Sequence, residues 1–341
     1  MTEEWIWKAD PGRYIVFGDL MVDEYETGDV TRISPEAPVP VMDFKMRRRV
    51  PGGAANVSMN LRGLGNHVEM IGVVGNDESG DWLIAELKRM GIGTAGIIRD
   101  ETRPTTRKVR FSTNQQTMLR VDYEVSEPVG EEAARRICDY MGKSLHNHNH
   151  DGVLVSDYRK GLLSAGSGGN DPVSQLLNEL CRHSVYTGVD TKKTGEDLGI
   201  FAGFDFIKPN LSELAKAVDL KVRVTDDSLV EAAGRYLAFS RAKSVLVTLG
   251  ADGMFHYDGQ TSVRVPSVKA NVYDVTGAGD TVFAVAMHLM RFGLGWKSIM
   301  RLANLAASVV IETRGTKAIS LQELYGKVDR IIRYEPGYFV D

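Results

Sequence analysis

Hydrophobic and polar positions along this chain switch between the strand period of two and the helix period of 3.6. Tyr14-Ile-Val-Phe-Gly-Asp19 is an apolar run closed by Gly-Asp, the pattern of a buried parallel strand whose end opens into a site. Residues 24–33 and 38–48 mix β-branched and charged residues around Ser34-Pro35-Glu36-Ala37-Pro38, and residues 106–123 form a second such pair around Asn114-Gln115. These predict four exposed strands. A helical pattern runs from Ala54 to about Leu64, a strand follows over His67–Val74, and Ser79 to Met90 is an amphipathic helix.

From residue 131 the pattern predicts helix 131–145, strand 152–156, helix 172–182, strands 185–189 and 204–208, helices 211–218 and 226–239, and strand 243–248. Such alternation means a parallel sheet covered by helices on both faces. Short strands near 253–257 and 261–265 and helices 278–292 and 296–311 close the chain. No repeat of 20–50 residues is visible, which removes solenoids and propellers. Ser164–Asn170 reads as a surface loop rather than a domain linker, because the alternation continues across it. His146-Asn-His-Asn-His150 reads as a solvated loop rather than a metal site, and Arg47-Arg-Arg49 as a solvated strand edge.

Composition changes this picture little. The 341 residues, 43% hydrophobic and 25% charged, exclude disordered, collagen-like and disulfide-scaffold classes. With 41 basic and 45 acidic residues there is no global field to gather nucleic acid or an anionic membrane. Cys138 and Cys181 have neither disulfide-framework nor metal-site spacing, and no apolar window has signal or spanning length. The expectation is a cytoplasmic protein, embedded in no membrane.

Chemistry concentrates in two glycine segments. Asp274-Val-Thr-Gly-Ala-Gly-Asp280 turns directly into a long apolar helix, so the N–H groups of Gly277, Ala278 and Gly279 can wrap a phosphate at a helix N-terminus carrying about half a positive charge. Asp280 is then either a helix-start acid or a carboxylate placed to take a proton from an incoming hydroxyl. Gly52-Gly-Ala-Ala-Asn56 sets a glycine pair at another helix start, with one amide inside the first turn. Glycines there admit a ligand close to the backbone. There is no G-x-x-x-x-G-K-[ST], and Gly277-x-Gly279 is followed by Val282 where a dinucleotide fingerprint needs Gly or Ala.

Together, Gly-Gly-x-x-Asn early and Asp-x-Thr-Gly-Ala-Gly-Asp late resemble the ribokinase-like (PfkB) family of sugar kinases. The resemblance covers nearly the whole chain, through Lys208-Pro-Asn210-Leu-Ser-Glu213, Thr248-Leu-Gly250-Ala-Asp-Gly253 and Ala303-Asn304. It implies an α/β fold: one ribokinase-like domain over 1–341, a Rossmann-type αβα sandwich with a small β lid formed by about 24–48 and 106–123. Four segments are similar to the members that phosphorylate D-glycero-D-manno-heptose 7-phosphate at C1: Ile33–Val41, Arg103–Arg110, Asn114–Asp122 and Ser156–Gly161. The family's Asp-Pro-Lys is here Asp190-Thr-Lys192, and no H-x-G-H nucleotidyl-transfer motif follows, so the expectation is the kinase alone.

By that resemblance Asp280 is the base, with Gly277, Ala278 and Gly279 as the anion hole. ATP is expected on Lys192, Asn210, Glu213, Thr248, Gly250, Gly253 and Asn304, with Mg²⁺ near Glu213 through water; a monovalent cation requirement is left open. Asp19, Gly52, Gly53, Asn56 and Asp157 are expected on the sugar hydroxyls, and Lys108, Arg110, Arg120 and Lys160 on its phosphate. Each assignment has a plainer counterpart: Asn210-x-x-Glu213 is also a capping box, and cations decorate any exposed β-ribbon. Other readings are a kinase of the same fold for another sugar or a nucleoside, and a nucleotide-binding regulator without turnover. The exposed lid edges suggest a homodimer.

Overall fold

Strand β1 (Arg13–Gly18) is apolar at every position from Tyr14 to Phe17 because it is an interior strand of a sheet covered on both sides. The protein is described from a computed structural model that covers residues 7–113, 116–147, 149–163, 172–181, 185–313, 315–334 and 336–339. The loop expected at 164–170 and the turn at 114–115 lie outside the described residues. On one side β1 pairs in parallel with β4 (His67–Gly75) and then β5 (Gly93–Asp100). On the other it pairs in parallel with β8 (Gly152–Asp157), followed by β9 (Tyr186–Thr191), β10 (Phe206–Ile207) and β11 (Val245–Thr248). The antiparallel strands β12 (Met254–Tyr257) and β13 (Ser262–Val265) extend that edge.

Successive β1 side chains feed two cores, Tyr14 and Val16 one, Ile15 and Phe17 the other. Over the first lie α1 (Ala54–Gly63), α2 (Glu78–Arg89), α7 (Ala278–Met290), α8 (Trp296–Ile311) and α9 (Leu321–Tyr334). Over the second lie α3 (Glu131–Asn147), α4 (Pro172–Leu180), α5 (Leu211–Val218) and α6 (Asp226–Ser240). Helix α7 is buried at every position from Asp280 to Leu289, as the continuous apolar run Val282–Met287 at its centre demands. This is the αβα sandwich that the alternation predicts. No helix among the described residues is long and apolar enough to cross a membrane.

The second sheet, ordered β3-β2-β6-β7, is the lid: β2 (Leu20–Ile33), β3 (Pro40–Gly53), β6 (Thr106–Ser112) and β7 (Thr117–Tyr123). Its first hairpin is longer than the expected 24–33 and 38–48, because β2 leaves β1 directly and β3 runs straight into α1. Its base is not exposed either, since Leu20 to Glu24 are buried. Glu24 there draws in the end of the Arg47–Arg49 run: Arg49 bonds Glu24 at 3.1 Å and Glu78 at 2.9 Å, and Arg47 bonds Glu26 at 2.7 Å. Arg47 and Arg48 stay exposed, as expected of a solvated edge, and Arg49 alone is drawn in.

Strand β5 and helix α9 add to the expected elements, and the strand expected over 204–208 shrinks to two residues. Helix α3 also runs on to Asn147, through the first two residues of the His/Asn run. Among the described residues no group of three or more His, Cys, Asp or Glu side chains is placed to hold a metal ion by itself.

Candidate active site

Strands β1, β8, β9 and β11, and the residues just after β10, end at one edge of the parallel sheet, where a crevice between strand ends takes ligands in open α/β sheets. Asp19, Asp157, Asp190, Lys208 and Thr248 stand at those ends. The Asp19 carboxylate accepts the N–H of Tyr158 at 2.7 Å and of Lys160 at 3.1 Å. Asp157 accepts the Thr191 hydroxyl at 2.6 Å and the N–H of Arg159 at 2.9 Å. Burial, and for Asp19 the neighbouring Asp157 charge, push both carboxyls upward. At the head of α1, Gly53 has φ 58° and a Cβ there would stand 2.6 Å from the Asp19 carbonyl, so only glycine lets the lid strand join this helix.

Gly277, at φ 84°, caps α7, and Ala278, Gly279 and Asp280 form its first turn. The N–H groups of Gly277, Gly279 and Asp280 have no hydrogen-bond acceptor among the described residues, whereas Ala278 donates to the Val275 carbonyl at 3.3 Å. The donor set thus differs from the expected one: the Ala278 amide serves the turn, and that of Asp280 stands open. Gly279 does not share the left-handed conformation of Gly277, so the turn is tight at one glycine only.

Asp280 is 7% exposed, and its carboxylate makes no bond to its own helix. Asn56 donates to Oδ2 at 2.7 Å from α1, and the Tyr158 hydroxyl donates to Oδ1 at 3.0 Å from the loop after β8. Burial and the Asp190 charge push its carboxyl up to about 6, against the pull of Asn56, Lys208 and Tyr158. Lys208, 3% exposed, pairs with Asp190 at 2.8 Å, and its ammonium lies 3.5 Å from where a Cβ on Gly279 would be. The other Asp190 oxygen is buried without a partner.

All seven residues expected on the nucleotide side, Lys192, Asn210, Glu213, Thr248, Gly250, Gly253 and Asn304, line one cavity of about 780 Å³ together with the turn Gly277–Asp280. Val268, Val272, Val282, Ala307 and Ile311 add an apolar part to its lining. Asn210 and Glu213 do form the capping box of α5, with Glu213 accepting the Asn210 N–H at 2.9 Å and Asn210 accepting the Glu213 N–H at 2.8 Å. The second Glu213 oxygen is held by the Lys192 ammonium.

Register puts Lys108, Arg110 and Arg120 on one face of the lid, through the pairs Lys108 with Asp122 and Arg110 with Arg120. Arg110 bonds Asp23 at 2.6 Å, Arg120 bonds Asp122 at 2.8 Å, and Lys160 bonds Glu124 at 2.7 Å. Half-buried Lys108 forms no ion pair among the described residues, and burial pulls its ammonium below the usual lysine value against the nearby charges of Glu124 and Asp122. Sequence reasoning assigned no role to Tyr158, Asp190 or Lys208. Their signal was position: polar side chains at the C-terminal ends of parallel strands.

A profile of the pfkB family carbohydrate kinases matches residues 13–323. Over 329 residues the chain is 36% identical to the bifunctional protein HldE of Desulfatibacillum aliphaticivorans, covering 95% of this chain and 64% of that protein. The chain thus spans less than two thirds of that bifunctional relative. It is 37% identical over 316 residues to the D-beta-D-heptose 7-phosphate kinase of Bordetella bronchiseptica, covering 92% of this chain and 96% of the other. In fold it is similar to phosphofructokinase-2 of Escherichia coli (TM-score 0.74, 17% identity, 94% of this chain and 99% of that one). It is likewise similar to Arabidopsis thaliana ribokinase complexed with ribose and ATP (TM-score 0.70, 19% identity, 94% and 99%).

Proposed function

The chain belongs to the pfkB family of carbohydrate kinases, and from that premise we propose that it phosphorylates the C1 hydroxyl of D-glycero-D-manno-heptose 7-phosphate with ATP. One observation carries the reading: a desolvated carboxylate, Asp280, is fixed by Asn56 and Tyr158 beside open N–H groups, at the junction of a nucleotide-sized cavity and a cluster of polyol-binding groups. The likeness to the Bordetella bronchiseptica kinase supports the choice of sugar.

In this reading the sugar oxygen attacks the γ-phosphorus, the bond from that phosphorus to ADP breaks, and the hydroxyl proton passes to Asp280. The N–H groups at the head of α7 and the Lys208 ammonium stabilise charge on the transferring group, so that positioning and electrostatics carry the acceleration. Asp19, Asn56 and Asp157 hold sugar hydroxyls, and the apolar part of the cavity takes the base of the nucleotide. The oxygen donors Glu213 and the unpartnered Asp190 Oδ1 suit Mg²⁺ bound largely through water and phosphates, since both Glu213 oxygens already accept a hydrogen bond. Such an ion would neutralise phosphate charge. A regulator without turnover has no use for the base arrangement, which is intact.

The lid face of Lys108, Arg110 and Arg120 takes the 7-phosphate, and Lys108 carries the largest share because no carboxylate holds it in an ion pair, although Glu124 and Asp122 lie within its field. Lys108→Ala should raise KM for heptose 7-phosphate by about ten- to a hundredfold, the range of one charge-assisted contact. KM for ATP should hardly move. Release of ADP, measured on the phosphorylated and the dephosphorylated heptose, checks this. Equal loss on both sugars, or preference of the parent enzyme for an unphosphorylated one, overturns the assignment of the phosphate.

The chain pairs with a second copy through the lid, whose Phe44, Leu119 and Tyr123 are exposed on strands at or beside open edges. Sedimentation should give a dimer at micromolar concentration, and Phe44→Glu should shift it toward monomer; a parent that sediments as a monomer overturns the pairing.

A further inference from the structure

We propose that Tyr158 is the positioning residue of the phosphoryl-transfer reaction, its hydroxyl holding the Asp280 carboxylate so that one oxygen faces the sugar hydroxyl. The inference rests on the kinase reading above and deepens it. The geometry comes from the loop itself. Tyr158 follows Asp157 at the end of β8, and the next turn puts Arg159 at φ 58° and Gly161 at φ 88°. A left-handed arginine is strained, and such strain persists only where the surroundings hold it. Here they do: Asp19 binds the N–H groups of Tyr158 and Lys160, and Arg103 donates to the Lys160 carbonyl at 2.8 Å and the Glu127 carbonyl at 2.8 Å. A Cβ on Gly161 would stand 1.8 Å from that same Glu127 carbonyl.

The strained loop therefore delivers one side chain to one place. Tyr158 lines the nucleotide cavity, its ring lies 5.5 Å from the Lys192 ammonium, and its hydroxyl ends on Asp280 Oδ1 at 3.0 Å. Asn56 holds the other oxygen from the opposite side, so the carboxylate is gripped from α1 and from the β8 loop at once. Desolvation and the Asp280 charge keep the phenol protonated, so it donates throughout the working range. The groups that set the charge of Asp280 are Asp190, which raises its affinity for a proton, and Lys208, Asn56 and Tyr158, which lower it; Lys192 and Asp23 also lie within the field of this pair. Loss of the Tyr158 hydroxyl removes a donor to the ionised form, so Asp280 becomes harder to ionise and the acid limb of kcat must move to higher pH.

The experiment compares the parent with Tyr158→Phe, which keeps the ring and its packing. At saturating sugar phosphate and ATP the variant should lose about tenfold in kcat, with the acid limb moved up by about one pH unit and KM for ATP within twofold. Saturation keeps Asp19, which acts in sugar binding, out of the kcat profile. Titration of Asp280 by ¹³C NMR of aspartate-labelled apo protein needs no substrate and should show the same upward move. Site-specific 3-fluorotyrosine at 158, a stronger donor, should move it down. An Asp280 titration unchanged in both variants overturns the proposal, as does a fall in kcat whose acid limb stays in place. A parent that turns over no heptose phosphate while the titration moves as expected overturns the substrate reading and leaves the role of Tyr158 standing.

Discussion

Asp280→Asn protein is expected to bind ATP as the parent does and to turn over at least about a hundredfold more slowly. The substitution keeps size, and the amide oxygen still accepts one of the two hydrogen bonds that Asn56 and Tyr158 now donate. What disappears is the basic lone pair. An acid serving only the α7 dipole would be worth about 0.3–1 kcal/mol of stability, and its loss would leave turnover within a few fold. The carboxylate does not make that choice: it makes no bond to its own helix and spends both oxygens on side chains from elsewhere in the fold. ATP affinity by calorimetry and ADP release in one preparation decide between the two roles. The pH profile adds a sign. Burial and Asp190 lift the Asp280 carboxyl to about 6, so a base at Asp280 would be protonated and idle below that pH, and parent kcat should rise with pH through about 6. The residual rate of the Asn variant should lack that limb.

Much of the fold was legible because some segments leave little choice. Helices α5 and α8 match the expected 211–218 and 296–311, each set by an unambiguous helical stripe. Strand β5 escaped because Gly93-Thr-Ala-Gly-Ile-Ile-Arg-Asp100 has two glycines and no clear alternation. Helix α9 does carry a signal, the stripe Leu321, Leu324, Val328 and Ile331 behind a Ser320 to Glu323 capping arrangement. At the site, residue types and glycine spacing pointed to Asp280 and Asn56, which lie 224 positions apart and share a hydrogen bond. Spacing could not reveal which amides stay open or which cations are already paired. Ala278 is taken by Val275, and Arg110 by Asp23, because of turn geometry and strand register that no single segment encodes. Tyr158 was hidden for the same reason: its role exists only once β8 and α7 are neighbours.

The two glycines at the head of α7 should fail differently, and the difference tests the anion cradle. Gly279→Val is expected to fold with a normal melting profile and to lose at least about a hundredfold in activity. Its φ is ordinary, and the nearest atom to a new Cβ is the Lys208 ammonium at 3.5 Å, an ordinary contact distance, so the fold tolerates the substitution. The branched methyls would nevertheless occupy the space between an open N–H and that ammonium, where the proposed mechanism puts the transferring phosphoryl group. At Gly277 the problem is the backbone. A residue with Cβ at φ 84° costs about 1–3 kcal/mol, and that Cβ would meet the Asn56 amide at 2.8 Å, displacing the group that holds Asp280. Gly277→Ala should therefore lose stability and turnover together, with a lowered melting temperature. Calorimetric melting and ADP release on the same samples separate the cases. Full activity in Gly279→Val would show that phosphate does not approach the backbone there, and the head of α7 would then be a tight turn without a catalytic role.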